Sequence, residues 1–356
     1  MKSDSIFKDR LYSLPFSGRI TAAESKIIQK IILSSNVDIK SDKISLVSVE
    51  EDYDFYQIQS GDKLFDLKFS LDYESEKFNR EIKNTKLGKS LHISKYLDSG
   101  IVKVGDKISY LICESNVSES LFDYGRSHLV SNLDSFVDSY CYFSSGSNYK
   151  LLYKTLLTKL VKEADIDSVF DVDQKSYIEN HSDYSKCKDI INTLRSEILS
   201  RLNTLPKHYT GNIIGDFNKN SIFVSGDEFL FKDLRYGCKG HIYSDIANIT
   251  LYYGLNNSAE KALLEKASNK MSISIDRNLY NTFYELELRR KALDYLLQYL
   301  KEVYLYESSR IEVIINLIDS FSQSYKRLCK IPIIKENRRF VLSNIAEPIL
   351  DPQLQD

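Results

Sequence analysis

Hydrophobic residues first recur at helical spacing, at Ile27, Ile28, Ile31 and Ile32. They follow a Thr21-Ala22-Ala23-Glu24 capping box, whose threonine and glutamate side chains satisfy the free amides of a helix start. This predicts a helix to about residue 34. The pattern then switches to alternation. Residues 44–49, 55–59 and 64–69 are β-branched or aromatic runs separated by turn residues, and they predict three strands. A second helix is predicted over about 72–87, with Gly88 as its stop. Residues 101–104 and 108–113, around Gly105-Asp106, predict a hairpin.

After Glu114 the texture changes. Residues 115–120 are polar, and helical patterns follow over 133–143, 149–162 and 184–205, the last closed by Pro206. A short insert at about 212–233 carries two strand patterns, 221–224 and 228–231, joined by Ser225-Gly226-Asp227. Helical patterns resume over 244–253, 259–269, 281–304 and 311–328. A small sheet with one helix, a polar connector and a large helical body with an embedded hairpin form an α+β chain. The predicted organisation is an N-terminal helical extension (1–40), a sheet lobe (41–116) and a helical lobe (117–356).

Composition narrows the classes. Of 356 residues, 42% are hydrophobic and 28% charged, which excludes a disordered chain, a collagen and a disulfide miniprotein. Lys plus Arg (48) balance Asp plus Glu (50), so no whole-protein field draws the chain to nucleic acid or an anionic membrane. Neither is expected as a partner. The basic runs Arg289-Arg290-Lys291 and Arg338-Arg339 are short. No stretch of about 18 apolar residues predicts a membrane span. The N-terminus has no apolar signal region, and the five cysteines are odd in number and scattered, so a reducing cytoplasm is the expected setting.

Several motifs fail on inspection. Leu87-Gly88-Lys89-Ser90 lacks the earlier glycine of a P-loop, since position 83 is Lys83, and it follows a helix rather than a strand. Cys238 and His241 lack two further zinc ligands at workable spacing.

Four features survive in order. Lys68 stands at an alternating position of the third strand, where an ammonium needs a partner or an anion. Glu81 follows Phe78 by three residues on the next helix, which points both toward the sheet. Each alone reads as an ordinary surface residue. Asp216 leaves an apolar strand in Ile213-Ile214-Gly215-Asp216-Phe217-Asn218-Lys219-Asn220-Ser221, and Asp233 leaves another in Phe229-Leu230-Phe231-Lys232-Asp233. Two carboxylates at adjacent strand ends suit a magnesium ion and an oriented hydroxyl.

With these residues in this order, the chain resembles the protein-kinase-like fold, in its aminoglycoside and choline phosphotransferase branch. That branch reads His-Gly-Asp-x-x-x-x-Asn, then a hairpin and Ile-Asp, then Asp-Leu-Ala. Here Ile214-Gly215-Asp216, Lys232-Asp233 and Asp245-Ile246-Ala247 correspond. The resemblance spans about residues 40–255 and is densest over 211–250. It implies a small antiparallel-sheet lobe with one helix and a larger helical lobe. It also implies an ATP- and magnesium-dependent transfer of the γ-phosphate to a small-molecule hydroxyl. Lys68, held by Glu81, would contact the α- and β-phosphates, and Asp216 would orient the acceptor hydroxyl. Asp233 would bind magnesium, Asp245 would brace the catalytic loop, and the connector around Ile112, Glu114 and Asn116 would meet the adenine.

Two positions depart from the family pattern. Ile214 stands where a histidine is usual, and Ser221 stands where the magnesium-binding asparagine belongs, with Asn220 one place early. Either Ser221 or Asn220 completes the metal site, or the chain is a catalytically impaired binding or regulatory protein. The helices after Asp233 carry Tyr252, Tyr253, Glu285, Glu287 and Asp294. An acidic, tyrosine-lined pocket would suit an amino sugar, a saccharide or a choline-like acceptor.

Overall fold

The computed structural model describes residues 20–40, 43–49, 53–88, 92–115, 118–166, 184–206, 209–218, 220–305 and 331–333. The predicted helix over 311–328, Asn116 and the Arg338-Arg339 run lie outside them. The chain forms two compact units. The first comprises Met1–Asp123, Asp138–Tyr149 and Lys219–Gly237, and the second Tyr124–Val137, Lys150–Asn218 and Cys238–Asp356.

The first unit is built on a five-stranded antiparallel sheet of order β1-β2-β3-β5-β4, with β1 Lys43–Val49, β2 Asp54–Ser60, β3 Lys63–Ser70, β4 Lys95–Val104 and β5 Asp106–Ser115. Helix α1 (Ala22–Ser34) begins at the Thr21 capping box, where Thr21 Oγ1 accepts from the Glu24 amide and Glu24 accepts from the Thr21 amide. Its Ile27, Ile28 and Ile31 pack with Tyr56, Ile58, Phe65, Leu67, Phe69, Tyr110 and Ile112. That is one set of alternating positions, so the sheet's other face is left for α2 (Glu76–Leu87). Helix α2 starts at Glu76, four residues later than the hydrophobic pattern predicted, because Ser75 supplies the cap by accepting from the Phe78 amide. Phe78 joins Tyr53, Phe55, Leu111, Cys113, Phe223 and Leu230 in a second core cluster. A small three-stranded sheet of β6 (Glu119–Ser120), β8 (Ile222–Ser225) and β9 (Glu228–Phe231) completes the first unit.

The second unit is mainly helical. Helix α3 (Leu121–Ser131), which breaks at Gly125 with a φ of 74°, and α4 (Leu133–Gly146) each have residues in both units, since the division falls after Asp123 and after Val137. Then come α5 (Tyr153–Glu163), α6 (Tyr184–Thr204), α7 (Ile242–Tyr252), α8 (Asn257–Lys270) and α9 (Arg277–Leu305). Among the described residues no helix is long and apolar enough to cross a membrane. Strand β7 (Gly211–Ile213) pairs with β10 (Cys238–Gly240), setting Gly240 opposite Gly211. A methyl group at Gly240 would run into the buried Ile213 side chain and lie 3.2 Å from Tyr153 Cβ. Gly240→Ala is therefore expected to destabilise the protein by about 1–3 kcal/mol through overpacking. Urea unfolding checks this, and an unchanged midpoint would contradict the tight packing.

Candidate active site

Alternation on β3 puts Asp66 and Lys68 on the face that α2 covers, with Lys68 opposite Phe55 of β2 and Leu111 of β5. Glu81, one turn along α2 from Phe78, closes on Lys68: the ammonium donates to Glu81 Oε1 at 2.7 Å. It also donates to the Lys232 carbonyl at 2.9 Å, while Glu81 Oε2 accepts from the Leu234 amide at 2.5 Å. The pair is thus strapped to the segment that leaves β9. Asn84 of α2 extends the strap by donating to the carbonyls of Leu234 and Gly237. Burial works to lower the Lys68 pKa, but Glu81, and Asp233 behind it, outweigh burial and raise it. Burial pushes the Glu81 carboxyl up, against the pull of Lys68. The rings of Tyr53 and Phe55 lie 4.8 and 5.3 Å from the ammonium.

Asp233 Oδ2 accepts from Arg235 Nε at 3.1 Å and pairs with a second guanidinium nitrogen at 2.9 Å. Nearby, Lys232 makes a further buried ion pair. Its ammonium lies 2.9 Å from Asp66 Oδ2 and 2.7 Å from Ser115 Oγ, and 4.5 Å from the Phe223 ring centre. A cavity of about 10 Å³, lined by Asp66, Lys68, Glu81, Cys113 and Lys232 among others, has room for about one water. Burial raises the Cys113 thiol far above its ordinary value, so it stays protonated and unreactive.

The connector residues have distinct places. Ile112 lies inside the sheet between Leu67 and Asp98, with its side chain in the α1 core. Glu114 faces Phe65 and Lys95 in the ladders and pairs with the Lys95 ammonium at 3.1 Å. Asn220 and Ser221 are both buried. The Asn220 amide donates to Ser48 Oγ, and the Ser221 carbonyl accepts from the Lys232 amide. Asp233 with Asn220 or Ser221 offers hard oxygen donors, the class magnesium takes together with phosphate oxygens. The donor set therefore fits the ion, provided Asp233 exchanges Arg235 for it. Among the described residues no group of three or more His, Cys, Asp or Glu forms a ready-made metal cage.

In the second unit, β7 runs into the loop that carries Asp216. Asp245, in the first turn of α7 and fully buried, accepts from the Ile214 amide at 2.7 Å and the Gly215 amide at 3.0 Å. Gly215 has a φ of 82°, a left-handed conformation that glycine adopts without strain, and the chain turns there. Asp216 Oδ1 accepts from its neighbour's amide, Phe217 N, at 2.9 Å. It also accepts from an Arg290 guanidinium nitrogen at 2.9 Å and the Lys291 ammonium at 3.1 Å. Burial tends to raise its pKa, but Arg290 and Lys291 win and hold the carboxyl far below the ordinary aspartate range. Arg290 is held in turn by Glu287, whose Oε2 lies 2.7 Å from Arg290 Nε. Glu287 Oε1 accepts from Tyr153 OH at 2.5 Å and Ser244 Oγ at 2.6 Å.

This pairing revises the acidic pocket expected from the sequence. Glu285 is bound to Arg289, Glu287 to Arg290, and Asp294 lies 3.6 Å from Arg290. Tyr253 is buried. Each of these carboxylates already faces an arginine, so a cation-selective pocket does not follow from them.

Sequence reasoning missed Asp66, Lys232, Arg235, Arg290 and Lys291. Asp66 carried a usable signal, since it shares Lys68's face at i−2. Arg290 and Lys291 stood out only as part of a short basic run.

No family model matches the sequence, and no curated protein matches it either. Solved structures do match. An amicoumacin kinase, hAmiN, in complex with AMP-PNP, Ca2+ and Ami aligns with a TM-score of 0.58 and 13% identity, over 87% of this chain and 94% of its own. A spectinomycin phosphotransferase bound to ADP and spectinomycin gives 0.54 and 10%, over 85% and 93%. The choline kinase LicA from Streptococcus pneumoniae gives 0.51 and 11%, over 87% and 100%. The chain thus has the protein-kinase-like α+β fold of these small-molecule phosphotransferases.

Proposed function

We propose that the protein is a small-molecule phosphotransferase that moves the γ-phosphate of ATP to a hydroxyl group. The observation that carries this reading is the buried Lys68–Glu81 pair, tied through the Lys232 carbonyl and Leu234 amide to the segment bearing Asp233. A lysine kept charged away from bulk water is built to meet an anion. Lys68 binds the α- and β-phosphates, which requires the Tyr53 and Phe55 rings to move off it. Magnesium, held by Asp233 with Asn220 or Ser221, would neutralise charge on the phosphates.

Asp216 serves the acceptor. The hydroxyl oxygen bonds to the γ-phosphorus, the bond to ADP breaks, and the hydroxyl proton passes to the Asp216 carboxylate. The transition state is loose, so an aspartate of low basicity suffices, and orientation is its main contribution. The acceptor class that fits the internally paired carboxylates is a neutral hydroxyl compound such as a saccharide.

The protein is expected to gain thermal stability from ATP only when magnesium is also present, because a ligand that binds only the folded form raises the Tm. It should also pass labelled γ-phosphate to a member of a saccharide, amino-sugar and amino-alcohol panel. No stabilisation by any nucleoside triphosphate would end the reading. Arg235's hold on Asp233 favours a second reading, a nucleotide-binding regulatory protein without turnover. Stabilisation that needs no magnesium, with no transfer to any acceptor, would select it.

A further inference from the structure

Three donors converge on Asp216 Oδ1, from Phe217 N, Arg290 and Lys291, whereas Oδ2 has no hydrogen-bond partner among the described residues. The carboxylate is therefore pinned through one oxygen and presents the other. Both cations are consecutive residues of α9 and nearly buried, at 3% and 6% exposure. Lys291 also donates to the Phe217 carbonyl at 3.2 Å and lies 5.4 Å from the Tyr252 ring centre. It thus grips side chain and backbone of the same loop. Arg290 is anchored by Glu287, which Tyr153 of α5 and Ser244 of α7 hold from behind.

We infer that Lys291, with Arg290, is a positioning residue that locks Asp216 Oδ1 so that Oδ2 alone meets the acceptor hydroxyl. The inference rests on the phosphotransferase reading for its consequence, but the lock itself belongs to the second unit. Arg290 is a poor test site, because its loss leaves buried Glu287 uncompensated. Lys291 is the better one. Around Asp216 the charged and titratable groups are Arg290, Lys291, Glu287 and Asp294 on α9, Tyr153 on α5 and Asp245 on α7.

The experiment uses the full chain with magnesium and ATP, water serving as acceptor and ADP release as the readout. Lys291→Met is expected to lower kcat by about 10²-fold, the scale of a misplaced reacting group, with KM for ATP unchanged. It should also move the acid limb of the kcat–pH profile upward, and Lys291→Arg should restore most of the rate. Equal kcat and an unmoved acid limb in folded Lys291→Met would overturn the inference, as would a loss expressed in KM for ATP. If the unaltered protein releases no ADP with water or with any member of the acceptor panel, the phosphotransferase reading is what fails. Carbon-detected NMR titration of the Asp216 carboxyl, assigned with Asp216→Asn, then decides the lock. A carboxyl that stays ionised below the ordinary aspartate range, and titrates higher in Lys291→Met, supports it. One that titrates in the ordinary range without substitution overturns it.

Discussion

Asp216→Asn is expected to lower phosphate transfer by about 10²–10⁴-fold, the usual contribution of a positioned proton acceptor, while magnesium–ATP still raises the Tm. The amide is isosteric, and its oxygen still accepts from Phe217, Arg290 and Lys291. What disappears is the negative charge and, with it, the site that takes the hydroxyl proton. Stability should fall as well, since two buried cations lose the anion they share. The pH dependence has a definite sign. The folded pKa of Asp216 is depressed, so its contribution is fully present above the unfolded value of about 3.9 and is lost as the pH falls toward the folded one. The stability gap between the two proteins should therefore be constant near neutrality and close in acid. Undiminished transfer in Asp216→Asn would remove this residue from the chemistry.

Glu81→Ala should destabilise the protein by about 3–5 kcal/mol, the cost of stranding one partner of a buried ion pair. Lys68 is 4% exposed and Glu81 fully buried, so bulk water does not reach the ammonium. The Leu234 amide also loses its acceptor. Without Glu81, burial pulls the folded Lys68 pKa down with mainly Asp233 left against it, while in the unfolded chain it stays charged up to about pH 10. The variant should consequently become more stable as the pH rises toward that value. Urea unfolding at several pH values checks both statements. A loss below about 1 kcal/mol, the scale of an exposed pair, would show that the pair is solvated.

The parts of this molecule that were legible in the sequence are the local ones. The Thr21 capping box, the alternation of β1 to β3 and the Gly226 turn each declare themselves within a few residues, whereas Lys68, Glu81, Asp216 and Asp233 each read as ordinary residues alone and stood out only through their order along the chain. Strands β7 and β10 have three residues each, too few for alternation to register. Partners far apart in the chain leave no local trace: Lys68 meets the Lys232 carbonyl across 164 positions, and Asp216 meets Lys291 across 75. Glu285, Glu287 and Asp294 appeared as an open acidic patch because sequence shows which charges a helix carries, not which arginine folds back on them.

Lys232 fastens two things with one residue. Its main-chain oxygen receives Lys68, and its side chain grips Asp66 and Ser115. The Lys68–Glu81 and Lys232–Asp66 pairs are thus riveted together, and free energy measured at either belongs to both. Whatever shifts residue 232 loosens them in concert, so the sheet and the strand that abuts it yield as a single piece.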